Sequence, residues 1–309
     1  MIHIQKLRDG LPLFRALDSE TRISIVEMLS VKGPQPMTVI SQELGITSGA
    51  LTPHIKALVD CGLVDVEMSV GKHGLQKVCS VAQERIIIDP TPLDEGRNMY
   101  ETEIGVGQYT AYEIFPTCGI ATSEHLVGEV DEPRFFGYPE RATAGILWFG
   151  KGYVEYMVPN LLRANQQLLE LQISLEISSE APGISEDWPS DIYFFINGRE
   201  LGYWISPGDF GRTKGIYNPD WWFRNWNQHG LFKLLSVNDS GSFIDGFKIS
   251  NVCLSDLGLN NNTNTMTLRL SVPDKARNQG GLTIFGRGFG NYPQDIKVRM
   301  HYRDTGEEK

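Results

Sequence analysis

Two stretches of this 309-residue chain carry side chains whose types and spacing could do chemistry. In the first, Thr47, Ser48, Gly49, Thr52, Pro53 and Lys56 share one side of a helical pattern whose other side is Leu51, Ile55, Leu58 and Val59. Small polar residues on the free face of a helix let it approach a polyanion closely. Ser48 and Thr52 are flexible hydrogen-bonders, Lys56 suits a phosphate or a guanine edge, and His54 could reach backbone. Lys72 and His73 at a hairpin tip, with Lys77 on the return strand, suit neighbouring phosphates or a minor groove. In the second stretch, the 25 residues from Ser206 to Gly230 carry Phe210, Tyr217, Trp221, Trp222, Phe223 and Trp226. Among them stand Asp209, Arg212, Asn218, Asn225 and His229. Aromatic faces stack on the C–H surface of a sugar ring while amide, carboxylate and guanidinium groups take its hydroxyls. The candidate ligand set is therefore Asp209, Arg212, Asn218, Trp221, Trp222, Asn225, Trp226 and His229, with Trp188 and Asp191 as secondary members. The alternative is that the aromatics cap one end of a core while Asn and Gly make turns. Trp148 and Trp204 are assigned to the core.

These side chains need elements to hold them. Ser19 is a good N-cap for a helix with Ile23, Val26 and Leu29 in a stripe, Ile25 and Met28 beside it, and Gly33-Pro34 as its stop. Thr38 to Leu44 makes a short second helix ending at Gly45, and a third begins after Thr47 and ends at Gly62. Pro53 falls inside that third helix and should bend it or end its first turn. A period-two stretch on each side of Ser69 to Gly74 reads as a hairpin, and Ile86 to Ile88 as a short strand before the stiff Pro90-Thr91-Pro92. From about Met99 the pattern turns to strands. Leu169, Leu171, Ile173, Leu175 and Ile177 alternate with Glu170, Gln172, Ser174, Glu176 and Ser178, which predicts a sheet with one buried face. Asn197-Gly198 is a strong two-residue hairpin signal. The expected fold class is α+β in two domains. Residues 1–88 form an N-terminal winged helix-turn-helix, 89–98 a linker, and 99–309 an all-β sandwich of jelly-roll type.

Charge separates the halves. The chain holds 28 Lys+Arg against 38 Asp+Glu, and residues 1–88 hold nine of each, so the net −10 lies entirely beyond them. Any contact with a polyanion belongs to the first part, and its modest charge calls for two copies on a two-fold site, hence a homodimer. Four cysteines, Cys61, Cys79, Cys118 and Cys253, stand at least 18 positions apart, without the spacing of a metal ribbon or a disulfide framework. Absence of a long apolar run and of a signal-peptide pattern gives a cytoplasmic expectation with no membrane span. No Gly-x-Ser-x-Gly elbow, phosphate loop or His-Glu-x-x-His occurs. Glu129-Val130-Asp131 begins a glycanase-like carboxylate pattern, but its third place is Arg134. The expectation is a non-enzyme with no cofactor and no metal.

Two resemblances bear on function. Ile40-Ser41-Gln42-Glu43-Leu44-Gly45-Ile46-Thr47, then Leu51-Thr52-Pro53-His54-Ile55-Lys56-Ala57-Leu58 and Cys61-Gly62-Leu63-Val64, resemble the arsenic-repressor-like (ArsR) winged-helix transcriptional regulators over residues 10–85. The supporting helix lacks the paired cysteines of metal-sensing members, so metal sensing is not carried over. Ala144 to Phe149, Ser179-Glu180-Ala181-Pro182-Gly183 and Asp187 to Ile192 are similar to predicted bacterial regulators in which a winged helix precedes a jelly roll akin to carbohydrate-binding modules. The resemblances imply a bacterial regulator of double-stranded operator DNA with a sandwich sensor domain and assign that domain no ligand; the aromatic segment points to a small-molecule effector, a sugar or glycoside. The competing class is a carbohydrate-binding or protein-interaction protein whose winged helix is only a docking module.

Overall fold

The computed structural model describes residues 2–4, 7–71, 74–82, 86–88, 97–259 and 263–305. The chain divides into two compact units, Met1–Glu95 and Gly96–Lys309. In the first, β1 (Ile2–Ile4) is followed by α1 (Leu11–Leu17), α2 (Glu20–Lys32), β2 (Gln35–Pro36), α3 (Met37–Glu43) and α4 (Ser48–Asp60). The hairpin β3 (Val64–Gly71) and β4 (Gly74–Val81) and the strand β5 (Ile86–Ile88) complete it. β2, β4 and β3 form an antiparallel sheet, and β5 returns to pair in parallel with β1. Gly33, at φ +71°, ends α2 by donating to Leu29 O at 3.0 Å, the local geometry that only glycine adopts without strain.

The buried arc of α2 differs from the expected one. Ile25 and Leu29 are buried, with Val26 and Met28 packed beside them, whereas Ile23 is 40% exposed. At about 100° per residue, Ile23 lies on the order of 140° from the centre of the arc through those four side chains. In α4, Leu51, Ile55 and Leu58 are buried with Ile40, Leu63 and Cys79, while Val59 turns outward at 39% exposure. Burial of each such aliphatic chain contributes about 1.5–3 kcal/mol, and this packing keeps α4 in place across Pro53.

The second unit opens with β6 (Arg97–Ile104), β7 (Ala111–Ala121), β8 (Ile146–Pro159) and β9 (Gln166–Ser178). Arg97 and Asn98, expected in the linker, already pair with Arg303 and Tyr302, and residues 89–96 lie outside the described residues. Next come β10 (Ser190–Ile196), β11 (Arg199–Ser206), β12 (Leu231–Asn238), β13 (Gly241–Ile244) and β14 (Phe247–Ser250). β15 (Thr265–Val272), β16 (Leu282–Phe285) and β17 (Ile296–Asp304) close the unit. Every strand pair here is antiparallel. β8 belongs to two layers. Ile146–Phe149 pairs with β16 and leads to β9, β12 and β17, while Gly152–Pro159 pairs with β15 and leads to β10 and β11. The switch falls at Gly152, φ +118°, where a Cβ would collide with the Glu113 carbonyl. Val154, Tyr156, Leu268, Leu270 and Phe194 of one layer meet Leu171, Ile173, Leu235 and Val298 of the other in one core. Asn197 and Gly198, at φ +49° and +74°, turn the β10–β11 hairpin as a two-residue loop with both residues left-handed.

The expectation of one wet face on β9 is overturned. Gln172, Ser174, Glu176 and Ser178 are as buried as the aliphatic residues between them. The Glu176 carboxylate accepts from the amides of Gly230 (2.8 Å), Asn291 (2.9 Å) and Tyr292 (3.1 Å), so loops from distant sequence cover its polar face and satisfy it.

Candidate functional site

In the first unit, the Thr47 side chain accepts from Ala50 N at 3.2 Å and starts α4, while Ile46 N reaches back to Ser41 O at 3.0 Å to close the tight turn from α3. With Leu51, Ile55 and Leu58 inward, Thr47, Ser48, Gly49, Thr52, Pro53 and Lys56 are all exposed on the opposite face. Pro53 removes one backbone donor but does not end the helix, which continues to Asp60. Of the two expected outcomes, a bend or an end to the first turn, the second is overturned. His54 is half-buried with Nδ1 enclosed and unpartnered, so it is not on the free face. Ala50 and Val59, absent from the expected set, join it, because positions 52, 56 and 59 align along one side of a helix. Lys77 is exposed on β4 opposite Met68, whereas Lys72 and His73 lie outside the described residues.

The aromatic segment of the second unit splits between core and cleft. Trp222 is 4% exposed, packs on Trp148, Phe285 and Phe289, and donates its indole N–H to Asn227 O at 2.8 Å. Asn218 is buried, giving to Gln228 O (2.8 Å) and taking from Gly290 N (2.7 Å). Asp191 is buried and accepts from Arg277 N, Asn278 N and Asn278 Nδ2. These three, expected to meet a ligand, are committed to holding the fold. Trp221 fixes its indole to Ser123 O at 2.7 Å, Arg212 pairs with Glu186 at 2.9 Å, and the His229 ring stacks on Phe210. Trp188 is exposed, and like those three it stands outside the cleft described next.

The cleft has a volume of about 330 Å³. Of the expected residues it contains Asn225 and Trp226 only. Its aromatic lining is the indole pair Trp226 and Trp148, in contact with each other at 5.8 Å between ring centroids and tilted by 56°. Its polar lining is Thr117, Asp131, Glu180, Asn225 and Asn227. Glu180 follows β9 and accepts from Thr283 Oγ1 and Asn227 Nδ2, both at 3.0 Å. Burial, and then the nearby Asp209, raise its carboxyl well above the usual carboxylate range against the pull of the Thr283 and Thr117 hydroxyls. Asp209 is fully buried behind Ala181, whose N–H donates to Oδ2 at 3.2 Å, and its Oδ1 has no partner. Burial pushes this carboxyl up to about 7, and its enclosure removes it from direct ligand contact. Trp148 is in the core as assigned and also lines the cleft, whereas Glu180 escaped sequence reasoning because a carboxylate ending an alternating strand looks solvated. The signal was Ser179-Glu180-Ala181-Pro182-Gly183, where a strand breaks into a turn.

Among the described residues no cluster of three His, Cys, Asp or Glu is arranged to hold a metal ion, and no helix is long and apolar enough to cross a membrane. Residues 17–67 match the family model described as a helix-turn-helix domain, which covers α2, α3, α4 and the start of the hairpin. No curated protein matches the chain. Among solved structures, the CBM36-1 domain of a multidomain xylanase from the hindgut metagenome of Trinervitermes trinervoides is 11% identical at TM-score 0.28, covering 66% of this chain and 96% of its own. Latent PorU from Porphyromonas gingivalis is 12% identical at TM-score 0.30, covering 79% of this chain, which spans 18% of it. The delta-endotoxin Cry8Ea1 from Bacillus thuringiensis is 11% identical at TM-score 0.28, covering 78% of this chain and 30% of its own. Likenesses of this size assign neither ligand nor activity. The chain thus joins a helix-turn-helix unit to a large β-sheet unit holding an indole-lined cleft.

Proposed function

We propose that this chain is a cytoplasmic transcriptional regulator of the arsenic-repressor-like winged-helix type, binding operator DNA as a homodimer. Its sandwich binds a small hydroxylated effector, a sugar or glycoside, and performs no catalysis. The observation that carries the DNA half is the free face of α4. Thr47, Ser48, Gly49, Ala50 and Thr52 stand exposed at the N-terminal end of the second helix of a matched helix-turn-helix, with Lys56 exposed one turn further on. Small side chains there admit close approach to a major groove, Lys56 suits phosphate or guanine, and Val59 suits a thymine methyl. The cleft supports the effector half, because an indole pair lines it together with Asn225, Asn227, Thr117 and two carboxyl groups. For regulation the effector must favour one arrangement of the paired DNA units over another.

The zero net charge of residues 1–88 favours the second reading, a docking module for a protein partner. Fluorescence anisotropy on duplexes enriched by the protein from a random pool separates the two. For a DNA reader, Lys56→Ala loses about 1–3 kcal/mol of affinity if Lys56 meets a base, or lowers the salt slope by about one per copy if it meets a phosphate. A duplex affinity that neither salt nor Lys56→Ala changes points to the docking module.

A further inference from the structure

The cleft is unbalanced in charge. Asp131 and Glu180 line it, Asp209 lies behind its Ala181 wall, and no Lys, Arg or His is present among its described lining residues. Glu180, only 9% exposed, is met by neutral donors alone: Thr283 Oγ1, Asn227 Nδ2 and, at 3.5 Å, Thr117 Oγ1. The titratable groups that face it are Asp209, Asp131 and the buried Cys118 thiol, none of which can supply positive charge. Asp209 Oδ1 is enclosed with no partner at all. A carboxylate in such surroundings needs a counter-ion or keeps its proton.

The aromatic lining answers that need. An indole face attracts a cation held within about 6 Å of its centroid, more strongly than a phenyl or phenol ring does. Trp148 and Trp226, packed against each other at 5.8 Å and 56°, both line the cleft that holds the Glu180 carboxyl. Asn225 remains for hydroxyl groups, the Asn227 amide N–H groups and the Thr117 hydroxyl being given to Glu180 and Thr283.

We propose that the effector of this cleft is a saccharide carrying a protonated amine, of the amino-sugar class, its ammonium seated against Glu180 beside the Trp148–Trp226 indole pair. This rests on the saccharide reading above and narrows it by charge. The ammonium becomes the counter-ion that Glu180 lacks. The Glu180 carboxyl ionises as the ligand docks, and its proton passes to solvent, one for each ligand bound. A neutral sugar gains only the stacking and hydroxyl contacts and leaves Glu180 protonated.

The test is isothermal titration of the full-length protein with glucosamine, N-acetylglucosamine and glucose at about pH 6, where the sugar amine is charged. Two buffers of different ionisation enthalpy are used. Glucosamine is expected to bind about tenfold more tightly than either neutral sugar, as a desolvated cation over an indole predicts. Its heat should differ between the buffers by close to one proton. Glu180→Gln should bring glucosamine down to the level of glucose and abolish the buffer dependence of its heat, whereas Trp226→Ala should weaken all three. Should Glu180→Gln fail to fold, Asp131→Asn on the exposed rim should weaken glucosamine alone. Glucose or N-acetylglucosamine binding as tightly as glucosamine, with no buffer dependence, would overturn the charge assignment and leave the saccharide reading standing. Absence of binding by all three sugars would overturn both.

Discussion

Asp209 is the group whose burial should be felt most directly in solution. It is fully enclosed, Ala181 N meets one oxygen and nothing meets the other, and burial lifts its carboxyl from 3.8 to about 7. An acid whose folded value lies above its unfolded one holds its proton on folding, so the cost is absent below the unfolded value. Stability falls as pH rises through about 4 to 7, and the full penalty is present above 7. Roughly three pH units at about 1.36 kcal/mol each make that penalty about 4 kcal/mol, a sizeable share of a domain's stability. Glu180, shifted the same way by burial and by Asp209 itself, adds to the slope with the same sign. Asp209→Asn keeps an acceptor for Ala181 N and removes the titration. Its unfolding free energy should exceed the wild-type value by up to about 4 kcal/mol near pH 8 and match it near pH 4. All six tryptophans lie between residues 148 and 226, so intrinsic fluorescence in urea reports on the sandwich unit. An Asn variant equally destabilised at both pH values, with the wild-type slope intact, would refute the burial argument.

Thr47→Ala removes the bond to Ala50 N and should cost the first unit about 1 kcal/mol, seen in thermal unfolding by far-ultraviolet dichroism. Leu58→Ala, inside the same unit's core, should cost about 2–5 kcal/mol in the same measurement. The tryptophans should divide by role. Trp222→Ala should destabilise the sandwich by about 3–5 kcal/mol, whereas Trp226→Ala should keep the fold and lose the rise in melting temperature caused by saccharide. Both variants unfolding alike would place Trp226 in the core as well.

Local signals were legible in the sequence, and long-range cover was not. Gly33, Thr47 and Asn197-Gly198 act on neighbours a few residues away, so the end of α2, the start of α4 and the β10–β11 turn follow from residue type, while Ser19 stands at the N-cap of α2 without a side-chain capping bond. Ile23 and Val59 were misplaced because a stripe of apolar residues does not say which of its edges the rest of the core will cover. The polar alternation of β9 misled for a deeper reason. Its cover comes from Gly230, Asn291 and Tyr292, more than 50 positions further on, and no local pattern announces it. The segment from Ser206 to Gly230 was correctly singled out as aromatic-rich, yet its tryptophans are divided by tertiary packing: Trp222 against Phe289, Trp226 onto the cleft. Glu180, which lines the cleft, was missed because its burial depends on Thr283 and Asn227, which the fold alone brings to it.

The most direct test of the central claim is enrichment of duplexes from a random DNA pool by the full-length protein, followed by the salt dependence of its affinity for the winners. A two-fold symmetric site with half-sites about one helical turn apart is expected, bound with an affinity that falls steeply with salt and loses part of that slope in Lys56→Ala. A pool that yields no sequence above background, with weak binding indifferent to Lys56, would contradict the assignment of α4 as a DNA-reading helix.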